Sequence, residues 1–285
     1  MADSRPRAGK SKDRGVTALI YIILLSFILI MIIPIFWGLI TSLKGTGEIS
    51  RFPPTILPET VVTSNYQKVL FLSNFTTYFK NSCIVTFLCV IISTVIAGHA
   101  AYAIARFHIK YKEQLMYGIL MTSMVPAVAL LIPLYIISVK AGIYNTRLML
   151  ILVYTAWRTP MLTWILKGFF ESVPQAIEEA ALIDGCSKLR TFYTIVLPMS
   201  QPGIVSSALL TAVYVWNDFL VSFTFVTKEG LRTVSVGLYS YITQYGVQWG
   251  ELLSAVMITI IPIIILFVCL QRKFVDGMAA GAVKG

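Results

Sequence analysis

Histidine, cysteine and carboxylate are all scarce in this chain of 285 residues, and each shortage removes a class of chemistry. Only two histidines, His99 and His108, are present, and no serine sits in a nucleophile elbow, so no base and nucleophile are spaced for catalysis. Four cysteines, Cys83, Cys89, Cys186 and Cys269, lie in or beside apolar runs without metal-ligand or redox spacing. They read as small hydrophobes, and no metal site is expected. Asp and Glu total 13 against 23 Lys and Arg. The resulting excess of positive charge need not mean a nucleic acid, because membrane proteins gather basic residues in cytoplasmic loops. Ala8-Gly9-Lys10-Ser11 approaches a phosphate-binding loop only superficially: Ser4 stands where the motif needs glycine, and no strand precedes it. No internal repeat is visible, and nothing is low in complexity beyond the N-terminal tail. The expectation is a chain that is not an enzyme and binds no cofactor itself.

What the sequence has in abundance is apolar side chain. Hydrophobic residues make up 57%, charged residues 13%, and the mean hydropathy is +0.79, far outside the range of a soluble domain. Residues 1–15 are polar, basic and rich in helix breakers, and read as a disordered cytoplasmic tail before a single domain over 16–285. From Thr17 to about Ile40 the chain is continuously apolar for longer than a secretory signal's core and lacks a small-residue cleavage site after it. Five further spans are expected at about 82–105, 116–139, 148–167, 203–225 and 251–270, each near the ~20 residues that cross a bilayer core. With six spans both termini share one side. Fourteen Lys and Arg fall in the tails and loops of that side and eight in the opposite loops, so both termini are expected in the cytoplasm. Residues 41–81 form the longest external connection, extended at Pro53-Pro54 and Pro58 and helical around Tyr66 to Leu72. That connection either touches a binding protein or merely caps the bundle.

One polar island interrupts the spans, SVPQAIEEAALIDGCSKLRTFYTIVLP over 172–198. Ser172 with Gln175 reads as a capping box, and Pro174 sits in the first turn, where a missing N–H costs little. Asp184-Gly185 closes that helix, Ser187 caps a second, and Leu189, Phe192, Ile195 and Val196 recur at helical spacing until Pro198. On periodicity alone, this could be no more than an interfacial amphipathic helix between two spans.

The spacing within the island adds a resemblance. Glu179-Ala180-Ala181, three residues, Gly185, nine residues, Ile195, one residue and Leu197-Pro198 is similar to the E-A-A-x3-G-x9-I-x-L-P loop of binding-protein-dependent ABC importers. Trp216-Asn217-Asp218, the stretch PPTILPETVVTSNYQ and the closing AAGAVKG extend the likeness over nearly the whole chain, which resembles a MalG-type permease subunit of a carbohydrate importer. The resemblance implies an all-α membrane protein of the bacterial cell (inner) membrane, a six-span transmembrane helix bundle with a cytoplasmic coupling helix-turn-helix between spans four and five. It implies that Glu178, Glu179, Ala180, Ala181, Asp184, Gly185, Ile195, Leu197 and Pro198 face ATPase subunits. It also implies a second homologous permease, two ATP-binding subunits that hold ATP and Mg, an extracytoplasmic substrate-binding protein and a sugar substrate. The tail from Val275 to Gly285 is expected to reach the ATPase dimer.

Polar groups inside the expected spans mark a pathway or a partner helix, since intramembrane ionisable residues are costly. They are His99, Arg158, Thr159, Trp216, Asn217 and Asp218, with Tyr154, Trp157 and Trp164 as aromatic candidates for sugar faces. Tyr154, Trp157, Arg158, Trp216, Asn217 and Asp218 form the candidate substrate pathway. Arg158 needs a partner, either Asp218 as an internal ion pair, an acidic substrate, or a group on the second permease. An ion-coupled secondary transporter is the alternative function, and would place carboxylates or broken helices near the midplane. Six spans are also few for enclosing a sugar path, which argues for a pseudo-symmetric pair of permeases.

Overall fold

The computed structural model describes residues 9–282. Residues 1–8 of the expected tail and 283–285 of the closing segment lie outside the described residues. The chain is a bundle of helices, α1 (Gly9–Ser42), α2 (Phe75–Arg106), α3 (Lys112–Met124), α4 (Ala127–Lys140), α5 (Arg147–Ser172), α6 (Gln175–Ile183), α7 (Lys188–Met199), α8 (Gln201–Asn217), α9 (Leu220–Phe225), α10 (Val234–Tyr239) and α11 (Trp249–Ala282). A two-residue antiparallel hairpin, Ile242–Thr243 with Gly246–Val247, precedes α11. Helix α1 begins at Gly9, inside the stretch read as tail.

Four helices, α1, α2, α5 and α11, are long and apolar enough to cross a membrane alone, and the count reaches six if α3 with α4 and α7 with α8 each count as one bent span. The third expected span is therefore not straight. Helices α3 and α4 meet at 87° because Pro126 cannot donate an N–H and drives Val125 out of the helical region, to ψ 124. The fifth expected span is interrupted as well: α8 stops at Asn217, Asp218 is extended, and α9 resumes at Leu220.

The most extensive helix–helix contact is between α2 and α5. Ser93, Ala97, Ala101 and Ala105 recur every fourth residue along one face of α2 and are buried, which lets the backbones approach closely. Against the alanines lie Leu162, Leu166 and Phe170 of α5 and Phe192 and Val196 of α7. At the other end of the bundle, Val85 and Cys89 of α2 pack with Leu150, Val153 and Tyr154 of α5 and with Val221 and Phe225 of α9. Helix α1 lies against α11, and the rest of its apolar surface is exposed on this chain. Such a face has to be covered by lipid or by another subunit.

Three asparagines hold the loops opposite the polar island, and Asn81 and Asn145 use both the donor and the acceptor side of the amide. Asn65 donates to the carbonyls of Ser42 and Lys44, both at 2.9 Å, closing the end of α1. Asn81 donates to Gly230 and Arg232 carbonyls at 3.0 and 2.9 Å and accepts from Arg147 at 3.0 Å. Asn145 accepts the backbone N–H groups of Thr227 and Lys228 at 3.0 and 2.9 Å.

Candidate functional site

The polar island folds into a helix, a turn and a helix, as the spacing predicts, but not with the expected start. Helix α5 continues through Ser172, whose hydroxyl donates back to the Phe169 carbonyl at 2.6 Å. No capping box forms, and α6 begins after Pro174 without a side-chain cap. Its end is a Schellman turn: Gly185 takes φ +85, Gly185 N–H reaches the Leu182 carbonyl at 3.1 Å, and Cys186 N–H reaches that of Ala181 at 2.9 Å. Ser187 then caps α7, accepting the Arg190 N–H at 3.3 Å. Pro198 does not stop α7, which runs one residue further to Met199. The turn before it, Phe192–Val196, is widened to π geometry, and Pro198 itself has no N–H to give the carbonyl of Thr194.

The two faces of this unit differ. Glu178 and Ala181 point inward and are buried, and Ile195 and Leu197 are half-buried. Leu189, expected on the apolar face, is instead exposed, while Phe192 and Val196 are buried. Glu179, Ala180, Asp184, Gly185 and Pro198 are exposed, alongside Ile177, Leu182 and Ile183, the last 85% exposed. An apolar tip flanked by the carboxylates of Glu179 and Asp184 is thus presented at the end of the bundle.

Glu178 departs most from expectation, because it does not belong to that outward surface. Its Oε1 lies 2.5 Å from Arg106 Nε, and its Oε2 accepts from the Tyr102 hydroxyl at 2.9 Å. Arg106 Nη2 also donates to the carbonyls of Phe170 and Val173 at the end of α5, at 2.7 and 2.8 Å, the first of which also accepts the Val173 N–H at 3.2 Å. One guanidinium therefore ties the ends of α2 and α5 to the first turn of α6. Sequence reasoning counted Arg106 only as a loop charge, since its partner lies 72 residues away. Nearby, His99 Nδ1 is 2.8 Å from the Val95 carbonyl and Nε2 is 2.8 Å from the Tyr193 hydroxyl, a further tie between α2 and α7.

The second candidate region is a cleft of ≈ 940 Å³ where α3 breaks into α4, closed by α5 and α8. Trp157 and Arg158 line it, with Thr122 to Ala127 from the break and Tyr214 from α8. The Arg158 guanidinium lies over the Tyr214 ring, 4.6 Å from its centroid. Nε of Arg158 is buried and has no hydrogen-bond partner.

Of the three partners open to Arg158, the ion pair with Asp218 does not form. Asp218 Oδ1 instead accepts from the Tyr154 hydroxyl at 2.8 Å and from the Val221 N–H at 2.9 Å, which pins the interruption between α8 and α9. Tyr154 is wholly buried in the core and does not reach the cleft. Trp216 is buried too, with Nε1–H on the Thr259 carbonyl at 3.2 Å and its ring edge-on to Phe79 at 5.6 Å. Asn217 is exposed and donates to the Val213 carbonyl at 2.8 Å. Of the six pathway candidates, the structure brings Trp157 and Arg158 together at the cleft, while Tyr154, Trp216, Asn217 and Asp218 are not among its lining residues. Tyr214 was missed, although it lies one helical turn before Asn217.

Both regions lie within residues 90–279, which match the family model described as "Binding-protein-dependent transport system inner membrane component". The chain belongs to that family. This inner membrane component is 36% identical over 270 residues to the probable ABC transporter permease protein YurM of Bacillus subtilis, covering 93% of this chain and 88% of the relative. It is 34% identical over 252 residues to a sulfoquinovosyl glycerol transport system permease protein of Agrobacterium fabrum, covering 88% of each. A diacetylchitobiose uptake system permease protein of Streptomyces coelicolor is 33% identical over 255 residues, covering 90% of this chain and 92% of the relative. Among solved structures, a bacterial ABC transporter involved in import of the acidic polysaccharide alginate superposes with a TM-score of 0.81 at 21% identity, over 96% of this chain and 100% of that one. At that identity the likeness concerns the fold.

Proposed function

We propose that this inner membrane component is a permease subunit of an ATP-driven carbohydrate importer. It pairs with a second, homologous permease, receives its sugar from an extracytoplasmic binding protein, and is driven by two ATPase subunits that hold ATP and Mg. Relatives named for sugar uptake support the substrate class. The observation that carries the mechanism is the α6–α7 unit, whose exposed Ile183 tip and Glu179 stand at one end of the bundle while Glu178 is clasped from within by Arg106. A load applied to the tip passes through that clasp into α2 and α5, the helices that wall the interior. In this reading α6 and α7 and both termini are cytoplasmic, as the distribution of Lys and Arg suggests. Trp157, Arg158 and Tyr214 line the translocation path.

Ion-coupled transport remains the second reading, because broken helices such as α3–α4 are a feature of such carriers. It is weakened at Asp218, whose carboxylate is already engaged by Tyr154 and the Val221 N–H. Coexpression with candidate ATPase and permease subunits, purification on a tag on this chain, and uptake in proteoliposomes test the proposal. Copurification of both partners and uptake that needs ATP are expected. A chain that purifies alone and transports on an ion gradient without ATP would refute it.

A further inference from the structure

Arg158 sits within α5, eleven residues from its start at Arg147. At ~1.5 Å per residue that is about 16 Å along the helix, an expensive depth for a cation without a counter-charge. Among the described residues no carboxylate pairs with it, and the acid on the neighbouring span, Asp218, is taken by Tyr154. The charge is held instead over the Tyr214 ring, with Nε unsatisfied, at the wall of a cleft opened by the 87° break between α3 and α4. A buried donor with no partner costs more than it returns unless an acceptor arrives. The rest of the wall is largely aliphatic, but it includes Trp157 and Tyr214, flat surfaces of the kind that meet the C–H face of a sugar ring, and the hydroxyl of Ser123.

We propose that this cleft is an oxyanion subsite, and that the saccharide carried bears a carboxylate or sulfonate which docks on Arg158 during passage. The inference rests on the carbohydrate-import reading and narrows it from sugars in general to acidic sugars. The guanidinium offers a planar fork suited to such groups, and its position over the Tyr214 ring holds it at the cleft wall. The same oxyanion chemistry is available from a carboxylate of the second permease, so the test has to separate the two sources.

The assembled complex is used, with Cys83, Cys89, Cys186 and Cys269 of this chain replaced by alanine and Ser123→Cys as a reporter in the cleft. Maleimide labelling of that cysteine is followed in the presence of galacturonate or of galactose as probes. Galacturonate should slow labelling saturably and less so at high salt, and galactose should not. Arg158→Gln should raise the half-protecting galacturonate concentration by roughly 10- to 100-fold, the worth of a charge-assisted hydrogen bond, and Arg158→Lys should restore part of it. Equal protection by both probes, protection that survives Arg158→Gln, or no protection by either would overturn the subsite. Loss of the second permease from Arg158→Gln preparations, restored by replacing a partner carboxylate with its amide, would assign the oxyanion to that subunit and also overturn it. A complex that assembles with its ATPase but moves neither neutral nor acidic saccharide would instead count against the carbohydrate reading itself.

Discussion

At the scale of single residues, Arg106 makes the most demanding contacts in the chain. Its side chain and that of Glu178 are 10% and 9% exposed, and between them they satisfy one another, Tyr102 and two carbonyls of the end of α5. Removing one member of such a pair leaves the other charge buried and uncompensated, at a cost of about 3–5 kcal/mol. Arg106→Gln should therefore lower the melting temperature of the complex, and should reduce binding-protein-stimulated ATPase more than it reduces assembly. Arg106→Lys should rescue little, because an ammonium is a point charge and cannot reach Glu178 and both carbonyls together. Unchanged melting in both variants would show that the clasp carries no load. A different residue-scale effect is expected at the loops opposite the island. Glu229 accepts from Asn74 and Tyr78, and Glu48 accepts from Thr55 and the Glu59 N–H, so both carboxyls are held below the usual carboxylate range. Their contribution is complete above that range and is lost as pH falls through the lowered values. Proteolysis of these loops should accelerate between about pH 5 and pH 3, and Glu229→Gln should flatten that dependence.

At the scale of elements, the end of α6 depends on one backbone conformation. Gly185 has φ +85, and a side chain there costs about 1–2 kcal/mol from the clash between Cβ and the following carbonyl. No neighbouring atom lies within 4 Å of a Cβ at this position, so the penalty of Gly185→Val is conformational and not one of packing. That substitution should tilt α6 against α7 and lower uptake and stimulated ATPase in complexes that still assemble. Gly185→Asn, which tolerates the left-handed region better, should retain more of both activities. Equal loss in the two variants would point to a docking contact and not to the turn. The break between α3 and α4 is the other decisive element. Pro126 is plain in the sequence, yet the apolar run around it reads as continuous, because hydropathy averages over a residue that alters only the backbone.

At the scale of the whole molecule, orientation and covering are open to direct measurement. Ile183 is 85% exposed at the tip of the α6–α7 unit. In a cysteine-free background, Ile183→Cys should react with a membrane-impermeant maleimide from the cytoplasmic side only, and should be shielded when the ATPase subunits are present. Labelling from outside intact cells would reverse the proposed topology. The uncovered apolar surface of α1 agrees with a subunit that completes its core only in lipid or against a partner.

Much was legible in the residues alone. Hydropathy located the four straight apolar helices α1, α2, α5 and α11, because a run of about 20 apolar residues is what a bilayer core requires. The glycine turn at Gly185 and the cap at Ser187 were readable because both depend on residues within a few positions of one another. What the sequence could not decide was which side chain answers which across the bundle. Arg106 and Glu178 are 72 residues apart, and Tyr154 and Asp218 are 64 apart. Tyr154 thereby claims one of the groups open to Arg158, and the arginine is left to the cleft. Hydrogen-bond and charge pairing at that separation depends on helix rotation and on the depth at which two spans meet, and those are set by packing, through the small-residue face of α2 and the breaks at Pro126 and Asp218.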